Sequence, residues 1–316
     1  MASTPRHWAT VNEISFVAGM RFLFWVFRIF GRWPLRMILY PVLAWYLITK
    51  PLPRRASADF LRRVSVHTPA VGTGITSVMR HFGSFAESIL DKMLLWSGLF
   101  NTEDVRFYGE ESINQSICQK RGALLICSHL GNLELCRVLS TQRKDLKLTL
   151  LVHTKHAQAF NHMLAQLNPD SQLNLLQVTE ISPMTVVNLA ETIAQGGIVV
   201  IAGDRIPVAL NPRVALVNFL GSPAAFPVGP YVLASILQCP VYLLFSLRSS
   251  GKSEVHFELF RESIRVPRRG RDAALAALAG EYAARLEHFC LHEPLQWFNF
   301  FDFWNLPRMD IIDASR

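Results

Sequence analysis

The sequence predicts an α/β protein with a mostly parallel central sheet flanked by helices, preceded by an N-terminal helical membrane-anchor region. Three observations carry that expectation. Beyond about residue 100, short apolar runs alternate with segments of helical spacing, the order that builds a parallel sheet covered on both faces. Two of the runs, Ala123–Cys127 and Ile198–Ala202, are unbroken by polar residues, as buried strands are. Finally, the first fifty residues mix arginine with large apolar side chains, the composition of a helix lying in a bilayer interface. Residues 1–50 are therefore read as membrane-associating helices and residues 51–316 as the α/β domain.

Taken in chain order, Arg21, Arg28, Arg32 and Arg36 interleave with Phe22, Phe24, Trp25, Phe27, Ile29, Phe30 and Trp33. Met37–Thr49 is apolar but shorter than the roughly 20 residues of a full span. Each arginine held at mid-membrane would cost roughly 2.5–3.5 kcal/mol, so an anchor lying in one leaflet is favoured over a spanning helix. No small-residue cleavage site follows the apolar stretch, so it does not read as an ordinary signal peptide. Pro51-Leu52-Pro53-Arg54-Arg55 reads as a linker, and Ser57–Val66 has helical spacing. Ile75, Met79, Phe82, Phe85, Ile89, Met93 and Trp96 recur at three and four, one face of a long helix. Strands are then expected at Val105–Tyr108, Ala123–Cys127, Leu146–Val152, Leu173–Val178, Ile198–Ala202, Val214–Phe219, Val241–Leu247 and Val255–Phe260. Helices are expected at Leu133 to about Leu139, Ala157–Leu167, Pro183–Gln195, Val228–Leu237 and Ala273–Cys290.

Composition narrows the class. The chain has 316 residues, half of them apolar and only 18% charged, against about 25% in a typical soluble domain, and its mean hydropathy is positive. Five scattered cysteines, with no CxxC, support neither a disulfide framework nor a zinc ribbon and fit a reducing compartment. The net charge of +8 suits anionic lipid or an acidic partner. No nucleic-acid recognition module accompanies it.

Four stretches carry candidate chemistry. The first is Ile126-Cys127-Ser128-His129-Leu130-Gly131-Asn132-Leu133-Glu134. Here a buried strand ends in a histidine and a Gly-Asn corner leads to a carboxylate, with Asn132 as a helix N-cap. At the carboxyl edge of a sheet, where α/β chemistry gathers, His129 has the residue type of a general base and Glu134 that of its orienting acid. The second, Gly203-Asp204-Arg205, follows another buried strand and emerges at the same edge, where a cation would hold phosphate or developing negative charge. The third runs from Phe219 to Pro230 and reads as a shaped loop leading into a helix. The fourth, Trp297-Phe298-Asn299-Phe300-Phe301-Asp302-Phe303-Trp304, holds six aromatics in eight residues. It would line an acyl-chain pocket, sit at the bilayer interface or seal the core. There is no G-x-S-x-G elbow, no phosphate loop and no dinucleotide fingerprint. His153, His156 and His162 lack metal-ligand spacing, so neither metal nor cofactor is expected.

Together these segments resemble the bacterial lipid A biosynthesis acyltransferase family, the lauroyl/myristoyl transferases, within the larger lysophospholipid acyltransferase superfamily. The likeness runs through the basic apolar N-terminus, His129 to Glu134 as H-x-x-x-x-[DE], the Gly203-Asp204-Arg205 block, the Gly221–Gly229 loop and the Pro294–Trp304 tail. It implies O-acyl transfer from a thioester of acyl carrier protein or coenzyme A to a hydroxyl of a lipid or glycolipid acceptor. It also implies a place at the cytoplasmic face of a bacterial inner membrane. His129 would be the base and Glu134 would hold its tautomer. Asp204, Arg205, Lys155, Phe226 and Gly229 would serve substrate binding, Lys155 as the basic residue the family places between the two blocks. The chain departs from the Phe-Pro-Glu-Gly motif of glycerol-phosphate acyltransferases by carrying Phe226-Pro227-Val228-Gly229, which argues against glycerol phosphate as acceptor. Two other functions use the same residues: an acyl-thioester hydrolase activating water with the His–Glu pair, and a lipid-binding scaffold without activity.

Overall fold

The computed structural model describes residues 25–96, 98–135, 147–152, 173–177, 183–206, 212–305 and 311–312. Its main sheet has seven strands: β1 (Val105–Tyr108), β2 (Ala123–Cys127), β3 (Leu148–Val152), β4 (Leu173–Gln177), β5 (Ile198–Ala202), β8 (Val241–Ser249) and β9 (Lys252–Arg261). They lie in the order β1-β9-β8-β2-β5-β3-β4. From β8 to β4 every neighbour is parallel, whereas β9 is antiparallel to β8 and β1 follows β9. The reversal comes from the Ser250-Gly251 turn, where both residues have positive φ (49° and 81°), as a two-residue hairpin loop requires. A second sheet, β10-β6-β7, joins β6 (Val214–Phe219), β7 (Ser222–Pro227) and β10 (Ile311–Ile312).

Seven helices have both ends among the described residues: α1 (Trp33–Thr49), α2 (Pro51–His67), α3 (Ile75–Trp96), α4 (Glu110–Cys118), α5 (Pro183–Ala194), α6 (Gly229–Leu237) and α7 (Arg271–His292). The period of two in β2 sorts its residues between two cores. Leu124 and Ile126 join the larger core with α2, α3, α6 and α7, while Ala123, Leu125 and Cys127 join a smaller one with Ile113 and Phe257. All five residues of β2 are buried, as the unbroken apolar run predicts. The mostly parallel sheet with flanking helices is thus the architecture found.

Several local expectations change. Residues 51–55 are not a linker but the first turn of α2, with Pro51 at the first helical position, where its missing N–H removes nothing. Ser222–Pro227 is not a loop but strand β7, paired antiparallel with β6 across a Leu220-Gly221 turn. Helix α4 is mostly polar and escaped periodicity. Of the helix expected at 133–139, the described part is a single 3-10 turn, Leu133–Leu135; the one expected at 157–167 lies outside the described residues.

Among the described residues no helix is long and apolar enough to cross a membrane. Helix α1 buries only Leu47 and leaves Trp33, Ile38, Trp45 and Ile48 more than half exposed. Arg32 and Arg36, read from sequence as interface arginines, turn instead to α3. Arg32 reaches Asp91 at 2.6 Å and Glu87 at 3.3 Å, and Arg36 meets Glu87 at 2.5 Å. Helix α1 is therefore ion-paired to the body of the protein along one side and apolar on its open side.

Candidate active site

Strands β2 and β5 are neighbours in register, Cys127 opposite Ala202. Two residues beyond each lie His129 and Asp204, so the pairing that builds the sheet delivers both side chains to the same point on its carboxyl edge. Their contact is close. His129 Nδ1 lies 2.8 Å from Asp204 Oδ1, and the His129 backbone N–H donates to Oδ2 at 2.7 Å. The Trp297 indole N–H donates to Oδ2 at 2.9 Å. A carboxylate only accepts, so Nδ1 carries the ring proton and Nε2 presents a lone pair.

Asp204 is fully buried. Burial pushes its carboxyl up, but the His129 imidazole and three hydrogen bonds outweigh that and hold it below the ordinary range. His129 keeps 31% of its side-chain surface exposed. Desolvation, with the nearby charges of Arg205 and Lys92, sets its imidazole below the usual 6.5 despite the attraction of Asp204. The ring is therefore neutral near neutral pH, with its free nitrogen able to take a proton.

The backbone around the pair is pinned. The Cys127 carbonyl accepts from the Gly203 N–H at 2.8 Å and the Tyr282 hydroxyl at 2.7 Å. A Cβ at position 203 would sit 2.7 Å from both Ile126 Cγ2 and Tyr282 Cζ, so only glycine lets β5 leave the sheet there. Gly131 turns the chain at φ +60°, and its Cβ would fall 2.1 Å from the Ser246 carbonyl oxygen. Asn132 then caps the short turn, its Oδ1 accepting from the Glu134 N–H at 3.2 Å. The C-terminal tail lies against this loop as a bridge between Leu130 and Trp297. Gly131 N–H donates to Gln296 O at 2.8 Å, and Phe298 N–H to His129 O at 2.9 Å.

The sequence-derived site is thus partly assembled and partly rearranged. His129, Asp204 and Arg205 come together. The place at Nδ1 expected for Glu134 belongs to Asp204, because the neighbouring strand delivers Asp204 there in register whereas Glu134 lies beyond the Gly131 turn. Arg205 donates to the Phe298 carbonyl at 3.3 Å, and its buried Nε has no hydrogen-bond partner among the described residues. Phe226, expected to touch substrate, is instead wholly buried, ringed by Phe219, Tyr282 and Phe303. Gly229 is an exposed residue opening α6, with no described contact to His129. Lys155 lies outside the described residues. Nothing in the sequence marks Lys92, whose charge acts on His129. Of the three readings open for Trp297 (acyl pocket, bilayer interface or core seal) its full burial fits the last, and none of them foresees its bond to Asp204. A cleft of about 110 Å³ borders Gly131 and Asn132, its wall mixing polar side chains such as Glu87, Asp91 and Arg248 with the apolar Leu135, Leu247 and Phe298. His129 is not in its wall.

An imidazole backed by a buried carboxylate, with two cations in range, has the parts for activating a hydroxyl or water against an electrophile whose negative charge grows. The family model described as bacterial lipid A biosynthesis acyltransferase matches residues 91–305, a span that holds His129, Asp204, Arg205 and Trp297. No curated protein matches the chain.

Proposed function

Because the chain belongs to the bacterial lipid A biosynthesis acyltransferase family, we propose that it moves a fatty acyl group from an acyl thioester to a hydroxyl of a lipid or glycolipid acceptor, with His129 as general base. The donor is a thioester of acyl carrier protein or coenzyme A. The observation that carries the mechanism is the His129–Asp204 contact at the sheet edge. His129 Nε2 takes the acceptor hydroxyl proton as that oxygen attacks the thioester carbonyl. Asp204 holds the Nδ1–H tautomer and stabilises the imidazolium as it forms. The carbonyl carbon gains the new ester oxygen, the thiolate leaves, and His129 returns the proton to sulfur. Arg205 and Lys92 supply positive charge for the transient oxyanion or for a phosphate on either substrate.

We place the enzyme at the inner membrane, on the cytoplasmic side, by way of the N-terminal helices. The support is the open apolar side of α1, where Trp33, Trp45 and Ile48 lie exposed while Arg32 and Arg36 are ion-paired inward. An ion-paired arginine no longer opposes seating that side in the acyl region.

The test is acyl transfer by the purified full chain from acyl-carrier-protein and acyl-coenzyme A donors into a bacterial lipid extract, read by mass spectrometry. An acylated lipid formed by the wild type and lost in His129→Ala is the expected result. Free fatty acid released at the same rate without acceptor would instead make the protein a thioester hydrolase. Turnover retained by a folded His129→Ala variant would remove the base.

A further inference from the structure

Trp297 lies at the junction of two hydrogen-bond systems. Toward the sheet, its indole N–H reaches Asp204 at 2.9 Å. Toward the N-terminal helices, its backbone carbonyl accepts from His81 Nε2 of α3 at 3.0 Å. The other nitrogen of His81, Nδ1, meets the Ser57 hydroxyl of α2 at 2.9 Å. One tautomer satisfies both contacts: a carbonyl only accepts, so Nε2 carries the hydrogen and Nδ1 accepts from Ser57. His81 and Ser57 have no exposed surface, so neither can meet a substrate. Burial also holds the His81 imidazole down at about 4, so it stays neutral through the physiological range.

The indole itself cannot drift. It is fully buried, with the rings of Phe60, Phe219 and Phe303 at centroid distances of 5.0, 5.3 and 5.0 Å. Gln296 fixes the preceding residue, its amide oxygen accepting from Arg248 N–H at 2.7 Å and its amide N–H donating to Arg248 O at 2.6 Å. The tail therefore enters the site in one register, and that register aims the indole N–H at Asp204 Oδ2, the oxygen that also accepts from the His129 backbone N–H.

Taking His129 as the base, we infer that Trp297 is a positioning residue that holds Asp204 in line with His129, and that Ser57 and His81 hold Trp297. Ser57, Phe60 and His81 all precede residue 91, where the family match begins. Helices α2 and α3 are then structural members of the catalytic framework as well as neighbours of a membrane-facing α1. Asp204 Oδ2 takes two donors, and the Trp297 N–H does two things. It stops the carboxylate from rotating about its Cβ–Cγ bond, and it withdraws negative charge that would otherwise act on the imidazole.

The second effect gives the proposal its own readout. Removing the indole N–H concentrates charge on Asp204 and strengthens its pull on the His129 proton. The acid limb of the kcat/KM profile, set by the free base, must then move to higher pH. The experiment compares three proteins in the acyl-transfer assay: wild type, Trp297→Phe, and wild type carrying benzothienylalanine at 297, which keeps the bicyclic shape and replaces N–H by sulfur. The isostere covers the case in which Phe leaves too large a void to fold. Expected is a fall in kcat of roughly tenfold to a hundredfold, the range for a hydrogen bond to a charged group. KM should be little changed, and the acid limb should shift upward. A merely structural role would lower kcat through loss of folded enzyme and leave the limb in place. Wild-type kcat with an unmoved limb in a folded isostere variant overturns the proposal. His129→Ala runs alongside: if it retains turnover, the base assignment has failed, and that failure is separate from an inert Trp297.

Discussion

Acidification should unload His81 in a way that can be isolated from every other titrating group. In the folded chain this imidazole has no exposed surface and sits at about 4, lowered by burial against the partial compensation of the Trp297 carbonyl. In the unfolded chain it returns to about 6.5. A base depressed by folding contributes nothing adverse above its unfolded value, and stability is then lost as pH falls from about 6.5 toward about 4, where the unfolded chain binds a proton that the folded one refuses. That gap is worth about 3 kcal/mol, a large part of the roughly 5–15 kcal/mol that holds a typical protein folded. Asp59 and Glu87, both held below the ordinary carboxylate range, also lose stability in acid, so the raw slope is not diagnostic. The difference between wild type and His81→Gln is. Gln keeps a donor and an acceptor but does not titrate, and any constant packing penalty cancels when each protein is compared with itself. Urea unfolding followed by tryptophan fluorescence from about pH 7.5 to about pH 4 should show the wild type losing about 3 kcal/mol more than the variant. Parallel curves would mean that His81 titrates normally, and so that it is not sealed against Trp297 as described.

Other outcomes follow from the same geometry. Asp204→Asn should leave the protein folded but cut kcat by roughly a thousandfold to ten-thousandfold, as misplacing the tautomer does in hydrolytic triads; steady-state kinetics should show a clearly smaller loss for Glu134→Gln. The kcat/KM profile of the wild type should keep its acid limb below 6.5, since desolvation and the charges of Arg205 and Lys92 depress His129. Gly131→Ala, which adds a Cβ 2.1 Å from the Ser246 carbonyl at a positive φ, should cost at least about 3 kcal/mol of stability in thermal or denaturant unfolding. Replacing Trp33 and Trp45 together by Ser should weaken sedimentation with anionic vesicles while the chain unfolds as before in their absence, because both side chains lie on the open side of α1.

The legible parts of this molecule are those whose cause is local. Unbroken apolar runs announce β2 and β5, and spacing at three and four announces α3 to its end residues, because each pattern is written in neighbouring side chains. Where a local signal had two meanings, the expectation slipped. Two prolines in Pro51–Pro53 spell a linker as readily as a helix start, and two more in Ser222–Pro227 spell a loop although they tolerate a strand beside a short partner sheet. The arginines of the N-terminus read as lipid contacts because nothing in residues 1–50 reveals the acids of α3 that Arg32 and Arg36 meet.

The partner of His129 illustrates the deeper difficulty. A motif such as H-x-x-x-x-E invites pairing residues close in sequence, whereas a parallel sheet brings together residues that occupy the same height on adjacent strands. His129 stands two positions after Cys127, and Asp204 two after Ala202; once β2 is known to pair with β5, their contact follows from register alone. That adjacency is invisible in the chain, since β3 and β4 intervene in sequence yet lie on the far side of β5 in space. Trp297 is harder still. Its role depends on the tail passing back over the Gly131 turn, a contact made by main-chain atoms that any residue possesses. The one side-chain signal was an aromatic cluster with a polar handle, and a buried indole N–H must find an acceptor. The only fully buried carboxylate at that edge of the sheet, among the described residues, is the one that His129 already uses.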